Sequence, residues 1–450
     1  MMSFQRWVIG TSLWLLTFQE LVLPGVDGFV VGVGGRRPFS NRVVVDTTPQ
    51  SQSPSFFSWH LFQAAQDDDT AHNDNDPLAD LSEERKANLF QFLLRDLEVE
   101  NVPLLGCDAT QAHVVQAALW TTMAELSDKA TQDKACLIFE NIPVDALQHL
   151  VDDFMELKTT KNDDDGILNH LPELERLTLS LVGKGVGPAI LIETVNATDK
   201  TQTPESSIMT NSDDDMEALE LKVTAAMKSF VDRMLMLNTE GEEVESGPIA
   251  YRVVPSANIC DVLAGFWSCV CELLALPDEE LSTIILSLPG LIIDDNEKAR
   301  FAAISTLISR SLFVYQGQDV LDLQYMHPTY DRTAISPVDQ PTYGHLPPLE
   351  WIPAMMKQQH GGNDNDKELS KEDIELSNFQ RRSPVPAVIM RRVSQLDDAE
   401  TATVDLDLGD GRIEKASGCA IHTRKAIRLA AEGKEALQSA LDAEISIART

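Results

Sequence analysis

The sequence predicts an α/β protein made of two similar helix-β-α-β-α-β units, followed by a small C-terminal β-hairpin and helix. Three observations carry this. Apolar residues switch repeatedly between helical and strand spacing. The element order of residues 79–196 returns in residues 216–357. The residues themselves also match: Ala117-Ala118-Leu119-Trp120-Thr121 is answered by Ala264-Gly265-Phe266-Trp267-Ser268, and Glu125-Leu126 by Glu272-Leu273 at the same offset. Pro143 and Pro289 close equivalent strands. We read the repetition as an internal duplication, with Trp120 over Trp267 and right-handed crossovers between parallel strands.

The first 28 residues read as a signal peptide: Arg6 precedes the apolar run Trp7 to Phe18, too short to span a membrane, and Val26-Asp27-Gly28 offers small residues for cleavage. Residues 29–78 read as a transit peptide running into a disordered acidic linker. Phe29 would be the first residue left, and Arg36, Arg37 and Arg42 follow with no acidic residue before Asp46. A signal peptide, a Phe and a basic hydroxylated tail resemble the bipartite presequence of algae with complex plastids. That resemblance implies a plastid stroma, with secretion as the alternative. Asp67-Asp68-Asp69 and Asn73-Asp74-Asn75-Asp76 lack the Gly and Glu of a calcium loop and read as linker.

In the first unit, Asp80 and Glu83 form a capping box, with Phe90, Leu93, Leu94 and Leu97 as the stripe of the helix they open. A strand at Val102–Leu105, a helix through Val115 to Leu126, the strand Ala135–Phe139 and a helix through Leu147 to Phe154 follow. Residues 174–181 fit helix or strand equally. Ala189-Ile190-Leu191-Ile192 is a strand, and Gly183-Lys184-Gly185-Val186-Gly187 before it reads as a helix stop and turn. A phosphate loop would have to follow a strand and open a helix.

Residues 197–215 read as a disordered linker rich in Thr, Ser and Asp. The second unit carries a helix through Val223 to Leu237, the strand Ile249–Val254, a helix through Val262 to Leu273, and the strand Thr283–Leu286. A helix through Phe301 to Leu312 then leads to the strand Val320–Met326. Residues 358–378 read as a disordered insert. In residues 379–450 the strand Ala387–Met390, an alternating pair around Asp410-Gly411 and a helix from about 420 to 447 make the C-terminal unit. Arg424, Lys425 and Arg428 read as a solvated face.

The chain has 450 residues and a formal net charge of −35, which argues against nucleic acid or an anionic membrane as partner. The six cysteines form no CxxC pair and no His/Cys cluster of zinc spacing, so we expect core thiols, no metal and no cofactor. The one place that suggests chemistry is His327-Pro328-Thr329-Tyr330. It lies just past a strand, where open α/β sheets hold ligands, with Asp331, Arg332 and His345 nearby. His327, Tyr330 and His345 are therefore the candidate site residues, suited to proton transfer.

Residues 223–356 resemble an uncharacterised family of bacteria and algae, domain-of-unknown-function family 1415. The shared features are the element order and a His-Pro-x-Tyr after the last strand, here His327-Pro328-Thr329-Tyr330. The family's following Asn-Arg-Ser-Pro-Tyr-Pro and His-Leu-Leu-Arg segments are replaced by Asp339-Gln340-Pro341-Thr342-Tyr343-Gly344-His345-Leu346-Pro347-Pro348, and its Cys-Pro-Phe by Asn238-Thr239-Glu240-Gly241. The resemblance implies no reaction. Two classes stay open: a non-catalytic module binding a protein or small molecule, with no nucleic acid and no membrane in the mature form, and a small-molecule enzyme centred on His327.

Overall fold

The computed structural model describes Gln91, Val102 and residues 104–107, 111–128, 133–139, 142–159, 170–183, 188–194, 213–234, 248–292, 297–314, 317–332, 344–360, 369–396, 398–409 and 411–449. The presequence, the acidic linker and the capping-box helix expected near Asp80 lie outside these residues. The fold is mixed α/β with two four-stranded sheets, each containing a parallel β-α-β pair.

The first sheet comprises β1 (Leu104–Cys107), β2 (Lys134–Phe139), β3 (Leu177–Val182) and β4 (Ala189–Thr194), in the order β1-β2-β4-β3. Between the strands run α1 (Ala112–Asp128), α2 (Val144–Thr159) and the single turn α3 (Pro172–Glu175). The second sheet comprises β5 (Ile249–Val253), β6 (Thr283–Ser287), β7 (Leu321–Met326) and β8 (Ala387–Arg392), in the order β5-β6-β8-β7. Its helices are α4 (Asp213–Met234), which precedes β5, then α5 (Ile259–Ala275) and α6 (Glu297–Val314). In both sheets the first two strands pair parallel, and the fourth strand inserts antiparallel between the second and third.

That insertion corrects two expectations. Ala189–Ile192 was expected to close a run of parallel strands, but β4 runs antiparallel to β2 and β3. The third strand that points the same way as β2 is β3, the segment that fitted helix or strand equally. Gly183, at φ 70°, follows the end of β3 rather than of a helix. Ala387–Met390 was assigned to a separate C-terminal unit, but as β8 it sits inside the second sheet. Its Val388, Ile389 and Met390 are buried on both faces, which only an interior strand achieves.

The C-terminal region continues the same body. α7 (Ile352–His360), α8 (Lys371–Glu375) and a 3-10 turn at Leu376–Arg381 precede β8; α9 (Asp398–Thr401), the antiparallel pair β9 (Thr403–Asp407) and β10 (Ile413–Ser417), α10 (Cys419–Glu432) and α11 (Lys434–Arg449) follow it. Residues 369–378, expected as disordered insert, are ordered. Ser370 and Asp373 form a reciprocal cap on α8, and Ser377 and Asn378 are buried. The single long helix expected at the C-terminus is broken at Gly433, whose φ of 79° no continuous helix tolerates.

One core joins the inner faces of both sheets through α1, α2, α5 and α6; Leu137, Phe139, Leu119, Trp120, Phe266, Trp267, Leu286 and Tyr325 belong to it. α1 and α5, each the first crossover of its sheet, pack together. The Asn258 side chain, at the start of α5, donates to Ser127 Oγ near the end of α1, and Cys271 Sγ donates to the His113 carbonyl near its start. The two helices therefore run antiparallel. Arg300 on α6 reaches His170 and Glu173 beside α3, adding an ion pair of 2.6 Å between the halves. On the far face of the second sheet, α4 and α11 cover Ile285 and Ile389 with Val223, Met227, Phe230, Leu437 and Leu441. Arg233 and Glu444 clamp these two helices by a two-pronged pair at 2.8 Å.

Candidate functional site

The segment 327–386, between β7 and β8, places the candidate residues. His327 leaves β7 and turns back into the core, where it is buried against the Phe301 ring with centroids 5.2 Å apart. Its Nδ1 accepts from the Thr329 backbone N–H at 3.2 Å and lies 3.0 Å from Thr329 Oγ1. Burial, reinforced by the charge of Lys298, lowers its pKa to about 4, so the imidazole is neutral at physiological pH. Tyr330 is buried and its hydroxyl accepts from the Leu346 N–H at 3.1 Å; burial raises its pKa.

His345 lies between two tyrosines, 5.0 Å from the Tyr325 ring and stacked on Tyr330 at 6.4 Å. Gly344 makes this possible. At φ 71° it lays its backbone against the Tyr325 ring, and its carbonyl accepts from the Tyr325 N–H at 2.9 Å. The structure thus brings Tyr330 and His345 together and places His327 apart, facing α6. Burial, then the charge of Arg381, lowers the His345 pKa to about 4.

Sequence reasoning placed Arg332 near this pair but missed Arg381 and read Lys425 as part of a solvated face. Arg332 is buried and donates to Asn378 Oδ1 at 2.9 Å, to the Pro347 carbonyl at 2.5 Å and to Ser377 Oγ at 3.0 Å. Arg381 is buried and donates to Gln324 Oε1. Lys425 reaches in from α10. Among the described residues none of these three cations forms an ion pair, whereas Arg391 is held by Asp322 and Glu400, and Arg392 by Asp278 and the carbonyls that end α5. Desolvation lowers the pKa of Arg332 and of Arg381 to about 10 and that of Lys425 to about 8, with Arg381 and Arg391 adding to the effect on Lys425. The signal available in the sequence was the pair of doublets Arg381-Arg382 and Arg391-Arg392 in so acidic a chain. The expected basic face splits: Arg424 is exposed, Lys425 turns inward, and Arg428 donates to the Arg233 carbonyl.

A cavity of about 80 Å³ is lined among others by His345, Pro347, Trp351, Met355, Lys415 and His422; the three cations stand behind this lining, Arg332 through its bond to the Pro347 carbonyl. It abuts the residues that lead into α10, whose N-terminus has no side-chain cap. His422 stands on the first turn of α10; burial, then Lys425, Arg381 and Arg332, lowers its pKa to about 3. Nδ1 of His345 and Nδ1 of His422 are both buried without a hydrogen-bond partner. His327 does not line this cavity.

The six cysteines are thiols outside any disulfide, five buried and Cys271 half-buried. Burial pushes the Cys136 and Cys271 thiols up to about 12, which disfavours the reactive thiolate. Among the described residues no cluster of three or more His, Cys, Asp or Glu could hold a metal ion, and no helix is long and apolar enough to cross a membrane. No family model matches the chain, and no curated protein or solved structure matches it significantly.

Proposed function

We propose that this chain is a non-catalytic binding module of a plastid stroma, built from a duplicated α/β unit. The observation that carries the non-catalytic reading is the state of His327. It is neutral, packed on Phe301 and bonded within its own turn, which suits a strand terminator better than an acid or base. The cavity near its neighbours, at about 80 Å³, is small beside the several hundred Å³ typical of sites for drug-sized ligands. The enzyme reading centred on His327 is therefore the weaker one.

The duplication is supported by the shared strand order, the parallel first pair and the inserted antiparallel fourth strand, with Trp120 and Trp267 both buried on the first crossover helix of their sheets. Descent of residues 223–356 from the same ancestor as domain-of-unknown-function family 1415 is supported by His327-Pro328-Thr329-Tyr330 following β7. The plastid location is supported by the basic, acid-free stretch after Phe29. A fluorescent fusion of residues 1–57 should enter the plastid; a secreted or cytosolic fusion refutes the location.

The reading of His327 is tested with His327→Ala and Tyr330→Phe in a metabolite screen that measures both binding and turnover. Both variants should lose stability and retain the ligands of the parent protein. Turnover of any metabolite that disappears in His327→Ala would restore the enzyme reading.

A further inference from the structure

We propose that the cavity between His345 and His422 binds a phosphate-sized oxyanion, with Arg332, Arg381 and Lys425 supplying the charge behind it. This deepens the binding-module reading by naming a ligand class, and rests on it only in taking the ligand to be held rather than transformed.

Buried charges in folded proteins are paired, because an unpaired ion in a low-dielectric interior is costly. Among the described residues, buried Arg332 and Arg381 and half-buried Lys425, on three different elements, form no ion pair; Asp331, Asp322 and Glu400 act on them only at longer range, in a chain of net charge −35 where carboxylates are abundant. Their neighbours Arg391 and Arg392 show that this region does pair its arginines where a ligand is not required. The field of Arg381 reaches both imidazoles, and Arg332 bonds the carbonyl of Pro347, itself a cavity wall.

The polar groups that face the space also fit an anion. His345 and His422 each bring a ring nitrogen that no protein group satisfies, and a neutral imidazole can present an N–H there. Lys415 stands exposed at the rim, where a cation meets an arriving anion first. The uncapped N-terminus of α10 adds oriented N–H groups beside the cavity, and Gly418, at φ 63°, starts that helix. The His422 ring lies close against Gly418, where an added Cβ would stand 3.3 Å from Nε2. The volume admits a handful of water-sized groups, which suits one tetrahedral oxyanion and excludes a nucleotide.

Two sources share this chemistry, free inorganic phosphate and the phosphate group of a small monoester. The experiment titrates the full chain calorimetrically with inorganic phosphate and with methyl phosphate, against sodium chloride at equal ionic strength. It repeats the titration in Lys425→Met and His422→Phe. Lys425→Met removes a cation that has no ion pair to lose, so the free variant should unfold at the same or a higher temperature. Its phosphate affinity should nevertheless fall by at least about ten-fold, as expected for losing a charge-assisted contact. His422→Phe should weaken binding similarly. Binding of phosphate alone identifies the free ion as the ligand, and binding of both identifies the monoester head group. No saturable binding of either anion, or equal affinity in both variants, overturns the site. Hydrolysis of bound methyl phosphate, followed by phosphorus NMR, would keep the site and overturn the non-catalytic reading instead.

Discussion

Replacing Gly344 with Ala tests whether the contact that seats His345 is a close approach of backbone to ring. Gly344 sits at φ 71°, and an added Cβ would stand 2.7 Å from Tyr325 Cδ2 and nearer still to Cε2. Tyr325 cannot retreat: it is fully buried, its hydroxyl is 2.6 Å from Ser309 Oγ, and its strand is paired to β8. Left-handed backbone costs a residue with a Cβ roughly 1–2 kcal/mol, and forcing an extra methyl into a packed site typically costs about 1–3 kcal/mol more. The expected loss is therefore about 2–5 kcal/mol. Gly409→Ala is the control, because Gly409 has φ 85° with nothing within 4 Å of an added Cβ. It should lose only the backbone part, roughly 1–2 kcal/mol. Urea unfolding of both variants at unchanged m-value gives the difference. Equal losses in the two variants would refute the close-approach reasoning. So would a loss in Gly344→Ala that Tyr325→Ala does not relieve.

Tyr325→Phe removes the bond to Ser309 and should cost about 1 kcal/mol in the same assay, with no change in the His345 environment by NMR. Glu444→Ala breaks the two-pronged contact that ties α11 to α4 and should cost about 1.5–3 kcal/mol; it should also raise hydrogen exchange in α11 before the sheets. Acid should unfold the chain early. His327, His345 and His422 have folded pKa values of about 4, 4 and 3, below the ordinary 6.5, so the unfolded state binds more protons between these limits. Their contribution is fully present above 6.5 and falls by up to about 1.4 kcal/mol per pH unit per imidazole as pH drops from 6.5 toward 4. Asp153, raised to about 6 mainly by burial, and Glu220, also raised mainly by burial, oppose this, while His113, lowered by burial, adds to it. Chemical denaturation at stepped pH should show the fall, and a flat profile between 6.5 and 4 would contradict the buried-imidazole reading.

The periodic segments were legible because each carries its own signal. Apolar residues at helical spacing located α1, α2, α4, α5 and α6; a β-branched run located β6, and short apolar or alternating runs located β2, β5 and β7. Leu177–Val182 was ambiguous because four alternating residues also fit a helix face; pairing with β4 along the whole strand decided it. The place of β8 was not legible at all. Its strand character was plain, but its neighbours β6 and β7 end at Ser287 and Met326, and nothing local records a pairing across such distances. For the site, position beyond a strand singled out His327, yet the sequence could not show that the ring turns inward onto Phe301. Residues that meet from distant segments, such as Arg381 and His422, have no spacing to read.

The two sheets differ most at one connection. In the first, β3 and β4 are joined by residues 183–188; in the second, β7 and β8 are separated by residues 327–386. Everything that marks the candidate site out from the core, including Arg332, His345 and Arg381, lies in that longer connection, with His422 and Lys425 brought to it by α10. The two sheets share one strand order despite this difference in connection length, because loop length costs little free energy once the ends are fixed by a sheet. The shorter connection has no room for such a cluster. The first sheet therefore serves as the partner that buries α1 against α5, while the second carries the site. Separate losses follow from that division. Disturbing Trp120 or Leu119 on α1 should lower the stability of the whole chain, and anion binding should be lost only with folding. Disturbing Lys425 should do the reverse, and a Trp120 variant that stays folded but no longer binds phosphate would break the division.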